Sequence, residues 1–281
     1  MRPWPELPYE AWKDTLQTLH MELQIVGKVR FALTRREPLW ANVPLYVTAS
    51  GLTTSPMAYE DTIFQVDVDL VDHAIMIRSA EGQLRRVALK ARPVADFFAD
   101  FMESLDGLGI RPRFRAVPSE VPNPIPFAED TVHGTYDPSW ANRFWTVLSR
   151  VDIALKNYRS GFRGRTTPVH FFWGTFDLAI ARLRGPDDET IAAGFWPGDE
   201  KFPHAAFFAY TSPKPDGIEK EPVRPAPAGW NTDLGEFILP YDDVRGSEDP
   251  GGAILEFCES TYAAGARLRG WDPGLIAPTG R

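Results

Sequence analysis

In the run FQVDVDLVD, residues 64–72, the first seven residues alternate strictly, with Phe64, Val66, Val68 and Leu70 on one side and Gln65, Asp67 and Asp69 on the other. A period of two is strand geometry, because successive side chains leave opposite faces of the pleat. An apolar face opposite an acidic one describes a sheet that is covered on one side and wet on the other, which is the habit of antiparallel sheets. Such a chain must supply its own covering layer. It does so immediately upstream, where Trp12, Leu16, Leu19, Leu23 and Val26 follow the i, i+4, i+7 rhythm of a helix over about residues 9–33. Pro8 suits the start of that helix, since its missing N–H is one the first turn leaves unbonded anyway.

Around this strand the sequence keeps the same vocabulary. VPLYVTA (43–49) is rich in β-branched and aromatic residues. HAIMIRS (73–79) and LRRVALKA (84–91), joined through Glu81-Gly82, predict a hairpin. A helix follows Pro93 and stops at Gly107 and Gly109, and RPRFRAV (111–117) is expected as a short edge strand. Residues 118–138 hold Pro118, Pro122, Pro124, Pro126 and Pro138, a crossing segment laid on the surface by Phe127, His133 and Tyr136. Beyond it the plan repeats: a helix over about 139–159, strands at 169–183, 205–212 and 235–242, and a last helix over about 251–267. Sliding the first half by 128 positions brings Trp12 onto Trp140, Thr18 onto Thr146, Ile25 onto Ile153 and Lys28 onto Lys156. The expected fold is α+β: two related halves, each a mostly antiparallel sheet with flanking helices, packed as one compact unit. The expected divisions are residues 1–117, the crossing segment 118–138, and 139–281.

Charge narrows the partners. The net charge of −8 repels phosphate backbones, so nucleic acid is not expected; Arg159, Arg163 and Arg165 form a local exception read as a solvated loop. No window reaches the roughly 20 apolar residues of a membrane helix, and the first residues lack a signal-peptide core, so a cytoplasmic protein without membrane contact is expected. The lone Cys258 cannot form an internal disulfide and sits in the apolar run AILEFCESTY, where an inert buried thiol is expected. The five histidines are scattered, with no HExxH or CxxC, so no metal site is expected. GxxxxGK[ST], GxGxxG and GxSxG are all absent, and no cofactor is expected.

Taken together, WPELPYEAW, TLHMELQIVGKVRFAL, PLYVTASGLTTSP, FFWGTFDLAIARL, AGFWPG and LPYDDVR resemble the bacterial family DUF5996, over nearly the whole chain. That family has no established activity, so the resemblance implies one architecture and a bacterial origin but no reaction. The family pattern carries a histidine where this chain has Leu39, before Trp40, and a Tyr-Ser-His-Glu type element where this chain reads GPDDETIAAGFWPG, around Ala193. Whatever function those histidines serve in relatives, the departure implies its absence here.

The remaining chemistry is a polar constellation. His20 and Gln24 point the same way on the first helix, with Lys28 some 40° further round at about 100° per residue. Tyr46 lies on the following strand, and Asp177 interrupts an apolar run, where a carboxylate calls for a cation such as Arg182, Lys28 or Lys156. Trp173 and Trp196 could supply flat walls. The function expected from these residues is binding of an as yet unknown small molecule in a cleft between the first helix and the sheet. Gln24, Lys28, Tyr46, Trp173, Asp177, Arg182 and Trp196 would line it, and His20 is the candidate catalytic base. The alternative is a non-catalytic module that binds another protein or associates with its own copies into a homo-oligomer.

Overall fold

The computed structural model describes residues 3–185 and 189–276, so Pro186, Asp187 and Asp188 of the GPDDET stretch lie outside the described residues. The chain forms an α+β fold with two antiparallel sheets and, among the described residues, five α-helices. Its contacts divide it into two units. The first holds Glu10–Ser149 and Phe171–Phe176; the second holds the segment before Glu10, Arg150–His170, and the chain from Asp177 onward.

In the first unit, α1 (Tyr9–Leu33) is followed by β1 (Tyr46–Val47), β2 (Gly51–Thr53), β3 (Met57–Tyr59), β4 (Thr62–Asp69), β5 (Ala74–Ser79) and β6 (Leu84–Ala88), and then by α2 (Val94–Asp106). The strand order is β1-β2-β4-β5-β6, with β3 beside β4. β4 is the alternating run of the sequence: Phe64, Val66 and Val68 are buried, and Val66 and Val68 stand opposite Ile77 and Ile75 on β5. The stripe Val94, Phe97, Phe101 and Leu105 of α2 is buried as well. α1 departs from a simple amphipathic helix. Every residue from Met21 to Arg30 is buried, including Glu22, Gln24, Lys28 and Arg30. A helix covered all round must satisfy its interior polar groups individually, and those four side chains become the chemistry of the unit.

The second unit repeats the order helix, sheet, helix. α3 (Pro138–Ser160) contributes its residues from Arg150. It is followed by β7 (Arg165–Thr166), β8 (His170–Phe172, whose Phe171 and Phe172 belong to the first unit), β9 (Asp177–Arg184), β10 (Glu189–Trp196), β11 (Ala206–Ser212), β12 (Gly229–Asn231) and β13 (Glu236–Pro240). α4 (Tyr241–Arg245) and α5 (Pro250–Leu268) close the unit. The order is β12-β13-β11-β10-β9-β7, with β8 beside β9. Asp249 caps α5 by accepting the Gly252 N–H at 3.0 Å.

Three expectations change. RPRFRAV (111–117) forms no strand; Pro112 and Pro118 remove ladder donors at its second residue and just past its end. The single strand expected at 169–183 is broken by a turn over 173–176, where Phe176 takes φ 61° and its N–H bonds the Phe172 carbonyl at 2.7 Å. β10 was not expected at all. Its IAAGF run is poor in β-branched residues, yet it is the buried strand between β9 and β11.

Candidate functional site

His20, Gln24 and Lys28 lie on the polar row of α1 and are engaged by two segments of their own unit. The His20 Nε2 sits 3.0 Å from the Trp173 carbonyl and 2.9 Å from the Gly174 carbonyl. Two carbonyls can only accept, so Nε2 carries the proton and donates to both. The Gln24 Nε2, 3.2 Å away, is then a contact and not a bond. Burial lowers the His20 pKa to about 4, although the two backbone carbonyls favour the charged ring. The imidazole stacks obliquely on Phe176 at 4.7 Å.

Gln24 reads the backbone of residue 119 on both sides. Its Nε2 donates to the Ser119 carbonyl and its Oε1 accepts the Ser119 N–H, each at 2.8 Å. Lys28 Nζ donates to the Ser119 Oγ at 2.8 Å and lies 5.7 Å from the centre of the Trp173 ring. Burial, and then the neighbouring Arg115, hold the Lys28 ammonium below its ordinary pKa, against the pull of Glu120. Trp173 itself is buried and donates from Nε1 to the Val43 carbonyl at 2.9 Å. One face of its indole lies on the helix at Gly27, where a Cβ would fall 2.3 Å from the ring. Tyr46 is paired elsewhere, with the Arg30 guanidinium 5.6 Å from its ring centre, and Arg30 also donates to the Thr54 carbonyl.

The other expected residues belong to the second unit. Arg182 is fully buried and boxed by the rings of Tyr158, Tyr262 and Phe162 at 3.6, 4.4 and 4.8 Å. Its partner is Glu259, held by two bonds of 3.1 and 2.9 Å, and not Asp177. Five residues apart on one strand, Asp177 and Arg182 leave opposite faces. Asp177 instead lies near Tyr210, whose pKa is raised by burial and then by that carboxylate. Trp196 stacks on Phe202 at 5.4 Å. Lys156 is likewise taken: its Nζ bonds Asp152 at 2.6 Å, so the positions matching Gln24 and Lys28 form a bonded pair on α3.

Sequence reasoning missed two features of the first unit. Glu22 is completely buried with neither carboxylate oxygen bonded, and burial pushes its pKa up to about 8, opposed only by Arg92. The signal was present, since Glu22 interrupts the apolar stripe between Leu19 and Val26. The second is a groove of about 420 Å³ between β6 and α2. Arg85, Arg86, Lys90 and Arg92 line its strand side, and Asp100 and Glu103 its helix side. Arg92 pairs with Asp100, whereas Arg85, Arg86 and Lys90 meet no carboxylate among the described residues. A smaller groove of about 320 Å³ lies at residues 36–40, where Leu39 and Trp40 both adopt left-handed backbone, φ 55° and 58°.

Among the described residues no helix is long and apolar enough to cross a membrane, and no group of three or more His, Cys, Asp or Glu could hold a metal ion. The family model described as "Family of unknown function (DUF5996)" matches residues 4–190 and 185–277. No curated protein and no solved structure matches the chain.

Proposed function

The chain belongs to the DUF5996 family, whose function is unknown, and from its own geometry we propose that it is a non-catalytic binding module whose partner enters the groove between β6 and α2. One observation carries this reading: the groove is open and holds three cations without carboxylate partners among the described residues, in a chain of net charge −8. Arg85 and Arg86 donate to backbone carbonyls, at Leu84, Gly107 and Asp72, and stay exposed, whereas the polar row of α1 is bonded to backbone at Trp173, Gly174 and Ser119 and Gln24 is fully buried. A histidine with a pKa of about 4 is also a weak proton acceptor near neutrality, which argues against His20 as a general base. Thermal denaturation tests the proposal, using panels of small metabolites and of unstructured polypeptides on wild type and on Arg86→Glu/Lys90→Glu. Polypeptides should raise the Tm of wild type alone, and metabolites should move neither protein. A polypeptide that stabilises both proteins equally would place its site outside the groove and sink the proposal.

A second reading keeps one favouring observation. Lys28 lies 5.7 Å from the centre of the Trp173 ring, and a cation beside an aromatic face suits a small anionic aromatic ligand on the α1 face. A metabolite that stabilised wild type but not Lys28→Ala would carry that reading instead.

A further inference from the structure

We infer that the β6–α2 groove takes an extended, acidic peptide segment of a partner protein, added as a further strand to the edge of the six-stranded sheet. The inference rests on the reading of this groove as a binding site and names what fills it.

The first support is the backbone. β6 ends the strand order, so among the described residues only one of its edges is paired, with β5. The Ser79 N–H bonds the Gln83 carbonyl at 3.0 Å and the Leu89 N–H bonds the His73 carbonyl at 2.9 Å. In an antiparallel ladder bonded pairs alternate with non-bonded ones, so Arg85 and Val87 bond inward and Leu84, Arg86 and Ala88 point their backbone groups outward. Of the outward carbonyls, Ala88 accepts from Arg92 at 3.0 Å and Leu84 from Arg85 at 3.3 Å. The N–H and C=O of Arg86 have no partner among the described residues. An outward-facing donor and acceptor on one residue is the template an added strand uses.

The second support is shape. The groove is walled by an edge strand on one side and by the residues 100–107 end of α2 on the other. A strand laid there gains backbone bonds from β6 and side-chain contacts from the helix, which is how strand addition combines affinity with selectivity.

Charge then chooses the occupant. An edge-to-edge pair of two copies would bring the Arg85, Arg86 and Lys90 cations of each close to those of the other, with Arg86 opposite Arg86 or Lys90 in the registers that overlap them, which is destabilising. Cations on an edge do deter self-pairing, and that accounts for their sign; it does not account for a groove beside them or for the unbonded groups of Arg86. Arg86 and Leu84 share one face of β6, opposite Met76 and Arg78 of β5. An incoming strand therefore fits best with Asp or Glu at alternate positions on that face. The residues between them should be small and uncharged, because they turn toward α2, where Glu103 is unpaired.

Fluorescence anisotropy with a capped peptide of alternating Glu and Thr, about eight residues long, tests this, against its Gln-for-Glu analogue and a version N-methylated at alternate amides. Wild type should bind the acidic peptide, and binding should weaken by about tenfold or more in Arg86→Glu/Lys90→Glu of unchanged Tm. The N-methylated peptide should not bind, and the Arg86 amide should gain protection from hydrogen exchange when the acidic peptide is added. Binding of the Gln analogue as tightly as the acidic peptide would overturn the acidic class while leaving a peptide module intact. Equal binding of the N-methylated peptide would overturn strand addition. If no peptide binds, the module itself falls, and a dimer in sedimentation that is lost on Arg86→Glu would give the edge to a second copy.

Discussion

Glu22 is the residue whose cost is easiest to measure. Both of its oxygens are buried and unbonded, and its pKa rises from 4.5 to about 8. An acid with a raised folded-state pKa contributes stability that is present below its unfolded value and lost as pH climbs through the folded one. Glu22→Gln keeps the shape and cannot ionise. Its stability relative to wild type should therefore grow by on the order of 3 kcal/mol between pH 5 and pH 8 in urea unfolding. A difference that stays flat across that interval would mean that the carboxylate finds a partner or water when it ionises. Arg182 makes the opposite case among buried charges. Its guanidinium has a bidentate carboxylate, a backbone carbonyl at 2.7 Å and three rings around it, so charge and packing are answered and Nε alone is left without a hydrogen bond among the described residues. The spacing of Asp177 and Arg182 in one run suggested a pair, but strand parity forbids it, and Glu259 lies too far along the sequence for any local pattern to name.

The helices were the most legible elements. The i, i+4, i+7 rhythm located α1, observed at Tyr9–Leu33, and the β5–β6 hairpin follows the alternation and its Gly-containing turn. What the pattern could not disclose was how completely α1 is covered. Periodicity marks the apolar face, whereas burial of the polar face depends on segments that arrive much later, at Ser119 and Trp173. β10 was illegible for a related reason: alanine and glycine carry little strand preference, and their value appears only between two larger neighbours, with Gly194 lying close to Phe208 of β11. Of the expected site, His20, Gln24, Lys28 and Trp173 are linked through shared partners, while Tyr46 turns to Arg30. The tightest joint between elements is Gly27 against Trp173. Alanine gains about 1 kcal/mol of helix propensity over glycine, yet here its Cβ would sit 2.3 Å from the indole. Gly27→Ala should accordingly destabilise by about 1–3 kcal/mol and alter tryptophan fluorescence. Trp173→Leu should recover part of that loss in a double-mutant cycle, and additive losses would show that the two do not meet.

The whole molecule should carry a pH signature written by two groups on α1. His20 has a lowered pKa, about 4 against 6.5, so its share of stability is present above 6.5 and is lost as pH falls toward 4. Glu22 acts in the reverse sense between 4.5 and about 8. Their slopes oppose each other between 4.5 and 6.5, and of the two only Glu22 acts from there to about 8. Urea unfolding across this range should show a plateau below 6.5 and a decline above it. His20→Gln should turn the plateau into a continuous fall, and a variant that keeps the plateau would remove His20 from the balance. The burial of α1 also has a consequence in time. A ribosome delivers this helix well before its cover: Ser119 follows Lys28 by 91 residues, and Trp173 follows His20 by 153. At the roughly 5–20 residues per second of synthesis, α1 waits on the order of 5–30 s with its polar row uncovered by these segments. During that interval Gln24 and Lys28 meet water where the folded protein gives them Ser119, so the helix is made long before its polar row is closed.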